Sequence, residues 1–210
     1  PAAAMALSQA LGLMSYNFAA ILMGYLLTAK EVGWYGAAYK PVTVMLAVPL
    51  TFFVGLFPAL SRAWMEGPAV FSAMVSRSAR LALLLALPIG LGVSVFADFI
   101  IHLLFGPAFM NSAPVLRILA WSAVLVIFRG TFRQAVNAAG YHGLDLGCAA
   151  AATGANVILS VFLIPPYGMI GSAIATVASE LVWAVLISSL FARRMAGVTR
   201  RLEHSYATGN

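Results

Sequence analysis

Apolar residues fill this chain in long runs, and polar residues fall at two kinds of position. Some cluster between the runs, and others stand singly at helical spacing inside them. Residues 1–29 carry no charge at all. A membrane-spanning helix needs about 20 predominantly apolar residues. Runs of that kind cover 2–27, 35–61, 78–97, 144–163 and 170–192. A sixth, 113–139, is interrupted by Arg117, Arg129 and Arg133. Reading it as anything but a span would leave a long apolar loop between its neighbours, which lipid does not tolerate. The pattern therefore predicts an all-α, integral membrane six-helix bundle over residues 1–195, followed by a polar tail at 196–210.

The connectors read as turns. AKEVGWYG (29–36) and IPPYGMIG (164–171) lie on one side, and AGYHGLD (139–145) and the longer 61–80 segment on the other. ADFIIHLLFGPAF (97–109) is expected as an amphipathic turn or two at the interface, breaking at Gly106-Pro107. Cationic residues follow the same alternation. Arg62, Arg77, Arg80, Arg193, Arg194, Arg200 and Arg201 fall on one side, and Lys30, Lys40 and Arg117 on the other. The richer side is expected to be cytoplasmic and to hold both termini.

Composition supports the lipid reading. Of 210 residues, 62% are hydrophobic and only 9% charged, against about a quarter charged in an ordinary soluble domain. The net charge of +6 is read as membrane orientation, and no nucleic-acid partner is expected. The single cysteine, Cys148, has no disulfide partner in the chain.

The polar groups inside the runs are the candidate chemistry. Glu180 sits about ten residues from the outer end of its run, so about 15 Å deep at 1.5 Å per residue. A carboxylate at such depth costs roughly 2.5–3.5 kcal/mol or more. Ser172, Thr176, Ala184 and Ser188 share its face at four-residue steps, so that face should turn to helices or water. Glu180, with Thr176, is a candidate for ion coupling or for a buried ion pair. Arg129 and Arg133 lie four apart, with Asn137 one turn further. Guanidinium forks match phosphate oxygens in pairs, so this face is a candidate phosphate wall. Snorkelling to inner lipid phosphates, or pairing with Glu180, is the alternative. Gln9, Tyr16 and Asn17 are candidate cavity-lining residues or interhelix hydrogen-bond partners. No phosphate-cradling loop, zinc signature or nucleophile arrangement is present. An enzyme, a resident cofactor and a metal site are not expected.

Several stretches together resemble one family. Glu31–Arg62, Leu103–Trp121 and Leu163–Trp183 are similar, in order and spacing, to the second half of bacterial polysaccharide exporters. Those are the lipid-linked oligosaccharide flippases, O-antigen flippases among them, of the multidrug/oligosaccharidyl-lipid/polysaccharide exporter superfamily. The resemblance implies one lobe of a twelve-helix exporter fold, with an N-terminal six-helix lobe as the missing partner. It also implies a polyprenyl-pyrophosphate-linked glycan as substrate, the bacterial inner membrane as location, and alternating access driven by H⁺ or Na⁺. A drug/cation antiporter of the same superfamily, or a non-transporting subunit of a polysaccharide synthesis complex, are the alternatives.

Overall fold

The computed structural model describes residues 2–208, with the side chains of all but 2–5, 16, 48, 50, 51 and 199–208. The chain is all helical among these residues. Its elements are α1 (Ala2–Leu26), α2 (Ala29–Glu66), α3 (Pro68–Val95), α4 (Ala97–Phe105), a 3₁₀ turn (Pro107–Ser112), α5 (Ala113–Ala138) and α6 (His142–Thr208).

Breaks fall where the backbone requires them. Gly67, Gly106, Gly140 and Gly168 all have positive φ, the left-handed region that only glycine enters without strain. At Gly168 (φ 54°, ψ −133°) α6 is no longer helical, and its two arms fold back on one another. Across this hairpin the Asn156 amide donates to Ser179 Oγ at 3.1 Å. At the bend a β-carbon on Gly171 would run into the Leu163 carbonyl, so the close approach requires a glycine there.

Two connectors are shorter than the apolar pattern suggests. The first turn is not 29–36 but Leu27–Thr28, because Thr28 and Glu31 form a reciprocal capping box that starts α2 at Ala29. The 61–80 segment is also helical, apart from the break at Gly67. α2 survives three internal prolines, Pro41, Pro49 and Pro58, but bends by 42° between 29–47 and 52–66. Pro49 lies in that interval, where a missing N–H and a ring clash open the helical ladder. The tail helix runs on to Thr208.

Among the described residues, four helices are long and apolar enough to cross a membrane, or five if bent α2 is one span. α6 counts once in that tally although it doubles back. The outward faces carry exposed Leu13, Ile21, Leu84, Leu91, Phe99, Leu103 and Phe162. So continuous an apolar surface belongs in lipid, and this is a multi-pass membrane protein.

α5 is the axial helix, packed against α2, α3 and α6. Small residues allow close contact: Ala82, Ala86 and Gly90 of α3 meet α5, and a β-carbon on Gly90 would overlap Val124. Apolar cores close both ends of the bundle. One gathers Met23, Val42, Ile101, Leu116, Leu119 and Ile164. The other gathers Leu60, Phe71, Val75, Val136, Trp183 and Ile187. Between them, on α1, α5 and both arms of α6, the polar residues collect.

Candidate functional site

Arg129 and Arg133 share one face of α5 because they are four residues apart, yet their side chains find different partners. Arg129 reaches the second arm of α6. Its Nε donates to Glu180 Oε2, and its Nη2 to Glu180 Oε1 at 3.2 Å. This is a two-pronged guanidinium–carboxylate pair, with side chains only 10% and 18% exposed. The guanidinium carbon also lies 3.7 Å from the centre of the Trp183 ring, close enough for cation–π attraction. Trp183 comes three residues after Glu180 and so presents to the same neighbour.

Arg133 turns to the first arm of α6 and to α1. Its Nε donates to Asp145 Oδ2 at 3.1 Å and its Nη2 to Ser8 Oγ at 2.9 Å. Ser8 Oγ donates in turn to Asp145 Oδ2 at 2.8 Å. Three helices are thereby tied at one polar knot, with the Asp145 side chain 1% exposed. Asp145 Oδ1 has no hydrogen-bond partner among the described residues.

Two spaces flank these pairs. A small cavity of about 90 Å³ is enclosed by Gly12, Ser15 and Ala19 of α1, Tyr35 and Tyr39 of α2, and the two arms of α6, which contribute Asn156, Thr176, Ser179, Glu180 and Trp183. A wider open groove of about 720 Å³ runs between α2 and α5. Phe53, Val54, Phe57 and Val126 form its apolar walls, and Arg129, Gly130, Arg133 and Gln134 its polar floor. Gly130 is what lets Phe53 lie over α5, since a β-carbon there would strike the ring.

The sequence-derived candidates separate accordingly. Arg129, Glu180 and Thr176 come together around the cavity wall, although the Thr176 hydroxyl is spent on the Ser172 carbonyl at 2.9 Å. Arg133 joins the groove floor. Asn137 does not: it is buried in the last turn of α5 and meets His142 Nδ1 at 3.1 Å, closing the α5–α6 turn. Gln9 and Asn17 are exposed and line neither space, and Asn17 donates to its own helix at Leu13 O. The side chain of Tyr16 lies outside the described residues. The cavity face of α1 is the smaller set Gly12, Ser15 and Ala19. Asp145, Ser8 and Trp183 were not singled out from sequence. Asp145 reads there as the polar end of a turn, and no local spacing joins it to Ser8, 137 residues away.

A family model described as polysaccharide biosynthesis protein matches residues 2–114. The chain belongs to this family. Among curated relatives, the probable low-salt glycan biosynthesis flippase Agl15 of Haloferax volcanii is 29% identical over 79% of the chain and 35% of its own length. The probable flippase AglR of the same organism is 27% identical over 82% of the chain and 37% of its own length. Among solved structures, a MATE transporter bound to MaD3S superposes with a TM-score of 0.79 at 20% identity, over 91% of this chain and 44% of that one. A MOP superfamily transporter from Pyrococcus furiosus gives 0.73 at 17% identity, over 88% and 42%. These likenesses establish the fold as a helical lobe of the MOP and MATE type. The chain spans about a third of the length of the two curated flippases it matches.

Proposed function

We propose that this chain is one lobe of a membrane flippase that carries a polyprenyl-pyrophosphate-linked oligosaccharide across the plasma membrane by alternating access. A second six-helix lobe would supply the opposing wall, and both ends of this chain would face the cytoplasm. The observation that carries the reading is the groove in which Arg129 and Arg133 form a basic floor between apolar walls. An amphiphile with a diphosphate head and an isoprenoid tail presents the complementary surface. Guanidinium forks hold phosphate oxygens in pairs, and Phe53, Val54, Phe57 and Val126 accept hydrocarbon. Family membership and the printed names of the two Haloferax relatives support glycan translocation as the task. Glu180, opposite Arg129 and facing a polar cavity, is the group we assign to coupling with H⁺ or Na⁺.

The test is glycan export by cells that depend on the complete transporter. Arg129→Gln should reduce surface glycan at least tenfold at equal protein level; unchanged export would return Arg129 to a purely structural role. An organic cation is the second reading, favoured by the acid-bearing, aromatic cavity of Tyr35, Tyr39, Trp183 and Glu180. Efflux of a cationic dye by the wild type, with no effect on glycan, would select it.

A further inference from the structure

The Arg129–Glu180 pair is the wall between the two spaces. Glu180 lines the cavity and Arg129 the groove, and the bond joining them crosses from α6 to α5. Resting on the reading of the groove as a diphosphate site, we propose that the pair is an exchangeable partition. A diphosphate entering the groove takes Arg129 from Glu180, and the released Glu180 carboxylate takes up one proton (as hydronium) from the aqueous phase.

Three features fit Arg129 for changing partners. Its guanidinium is stacked on Trp183 at 3.7 Å, and that contact does not depend on which anion sits at its edge. It already forms part of the groove floor, so a short rotation suffices. Arg133, 5.8 Å from the same ring, is held by Asp145 and Ser8 and stays as the fixed half of the phosphate site.

The cavity side explains why release leads to protonation. A carboxylate there needs donors, and the serine and threonine hydroxyls around it have used theirs. Ser15 and Thr153 both donate to Leu11 O at 3.2 Å, Thr176 to Ser172 O, and Ser179 to Thr176 O at 2.9 Å. Asn156 Oδ1, an acceptor that offers a carboxylate nothing, is buried without a partner among the described residues; Trp183 Nε1 is likewise unpartnered and is a donor left on this lining. The charged and titratable groups facing Glu180 are few. α5 brings Arg129, with Arg133 beyond it held by Asp145; α2 brings the Tyr35 and Tyr39 phenols; the cavity face of α1 carries no charge. With Arg129 withdrawn, no cation among the described residues of the lining replaces it, and a proton is the remaining source of positive charge at the carboxylate. Binding of the diphosphate is thereby linked to binding of one proton, and by reciprocity a proton on Glu180 frees Arg129 for the diphosphate.

The experiment uses the complete transporter, purified, with farnesyl diphosphate as probe and a hydrophobic carbodiimide as reporter. The carbodiimide modifies protonated carboxyls in apolar surroundings, and peptide mass spectrometry assigns the adduct to Glu180. Binding of radiolabelled probe is measured in the same samples. Labelling of Glu180 should rise at least fivefold when the probe is bound. In Arg129→Gln it should be high with and without probe. Probe that binds without raising the labelling overturns the exchange while leaving the groove as a phosphate site. Probe that does not bind at all overturns the groove reading, and the exchange with it.

Discussion

Substituting Glu180 and Arg129 singly and together measures the pair at the centre of the site. At a 3.2 Å separation between Nη2 and Oε1, attraction at an effective dielectric of about 20 is about 5 kcal/mol. Desolvation of two nearly buried ions takes back a large part of that. Removing one partner leaves the other charge stranded, a cost of about 3–5 kcal/mol where burial is complete. Here the side chains keep 10% and 18% exposure, so a cost at or somewhat below the lower end applies. Glu180→Gln leaves Arg129 stacked on Trp183, an interaction of about 1–2 kcal/mol in a desolvated site, and should cost about 2 kcal/mol. Arg129→Gln loses that stacking as well and leaves the acid without its cation, to be carried uncompensated or neutralised by a proton, so about 3–4 kcal/mol is expected. The double substitution should cost no more than Arg129→Gln alone, giving a coupling energy of about 2 kcal/mol. Thermal unfolding of the purified protein in detergent, followed by tryptophan fluorescence, reads these differences as Tm shifts of about 2–4 °C per kcal/mol. Additive single effects, with coupling under about 0.5 kcal/mol, would refute the pairing.

Four further outcomes follow from the geometry. Gly171→Ala forces a methyl against the Leu163 carbonyl and within 3.1 Å of the Ile164 nitrogen, and should destabilise by about 1–3 kcal/mol in the same thermal assay. Gly168→Ala, strained at φ 54°, should cost about 1–2 kcal/mol. Arg133→Gln strips the buried Asp145 of its cation and should cost about 3–5 kcal/mol, loosening the knot enough to expose Cys148, now 2% accessible, to maleimide. Asp98→Asn breaks the half-exposed pair with Arg117 and should change stability by under about 1 kcal/mol, since such pairs contribute little.

The sequence displays the fold because lipid makes apolar length a direct signal: α1, α3, α5 and both arms of α6 coincide with long apolar runs. It displays Glu180, Arg129 and Arg133 for the same reason, since an ionised group inside such a run has no innocuous place. Turn positions were less readable. The capping box at Thr28 and Glu31 is masked by neighbouring glycines and aromatics, so residues 29–36 read as a turn although they form helix. Asp145 was hidden by position, being an acid at a helix start, where solvent exposure is the usual state. Its partner Ser8 is one of many serines, and only packing of α1 against α6 makes it distinct. Gln9 and Asn17 lie apart from the two spaces seen in this lobe. Amide side chains in a span suggest a polar lining, but Asn17 satisfies itself on its own helix and the cavity face goes to small residues.

The most direct measurement is transbilayer movement of a fluorescent prenyl-diphosphate glycan in proteoliposomes containing the complete transporter. Three forms are compared: wild type, Glu180→Gln, and the Arg129→Gln/Glu180→Gln double substitution, which strands no charge. The account predicts movement by the wild type, and at least tenfold slower movement by the double variant although it folds. Movement at the wild-type rate by the folded double variant would contradict it.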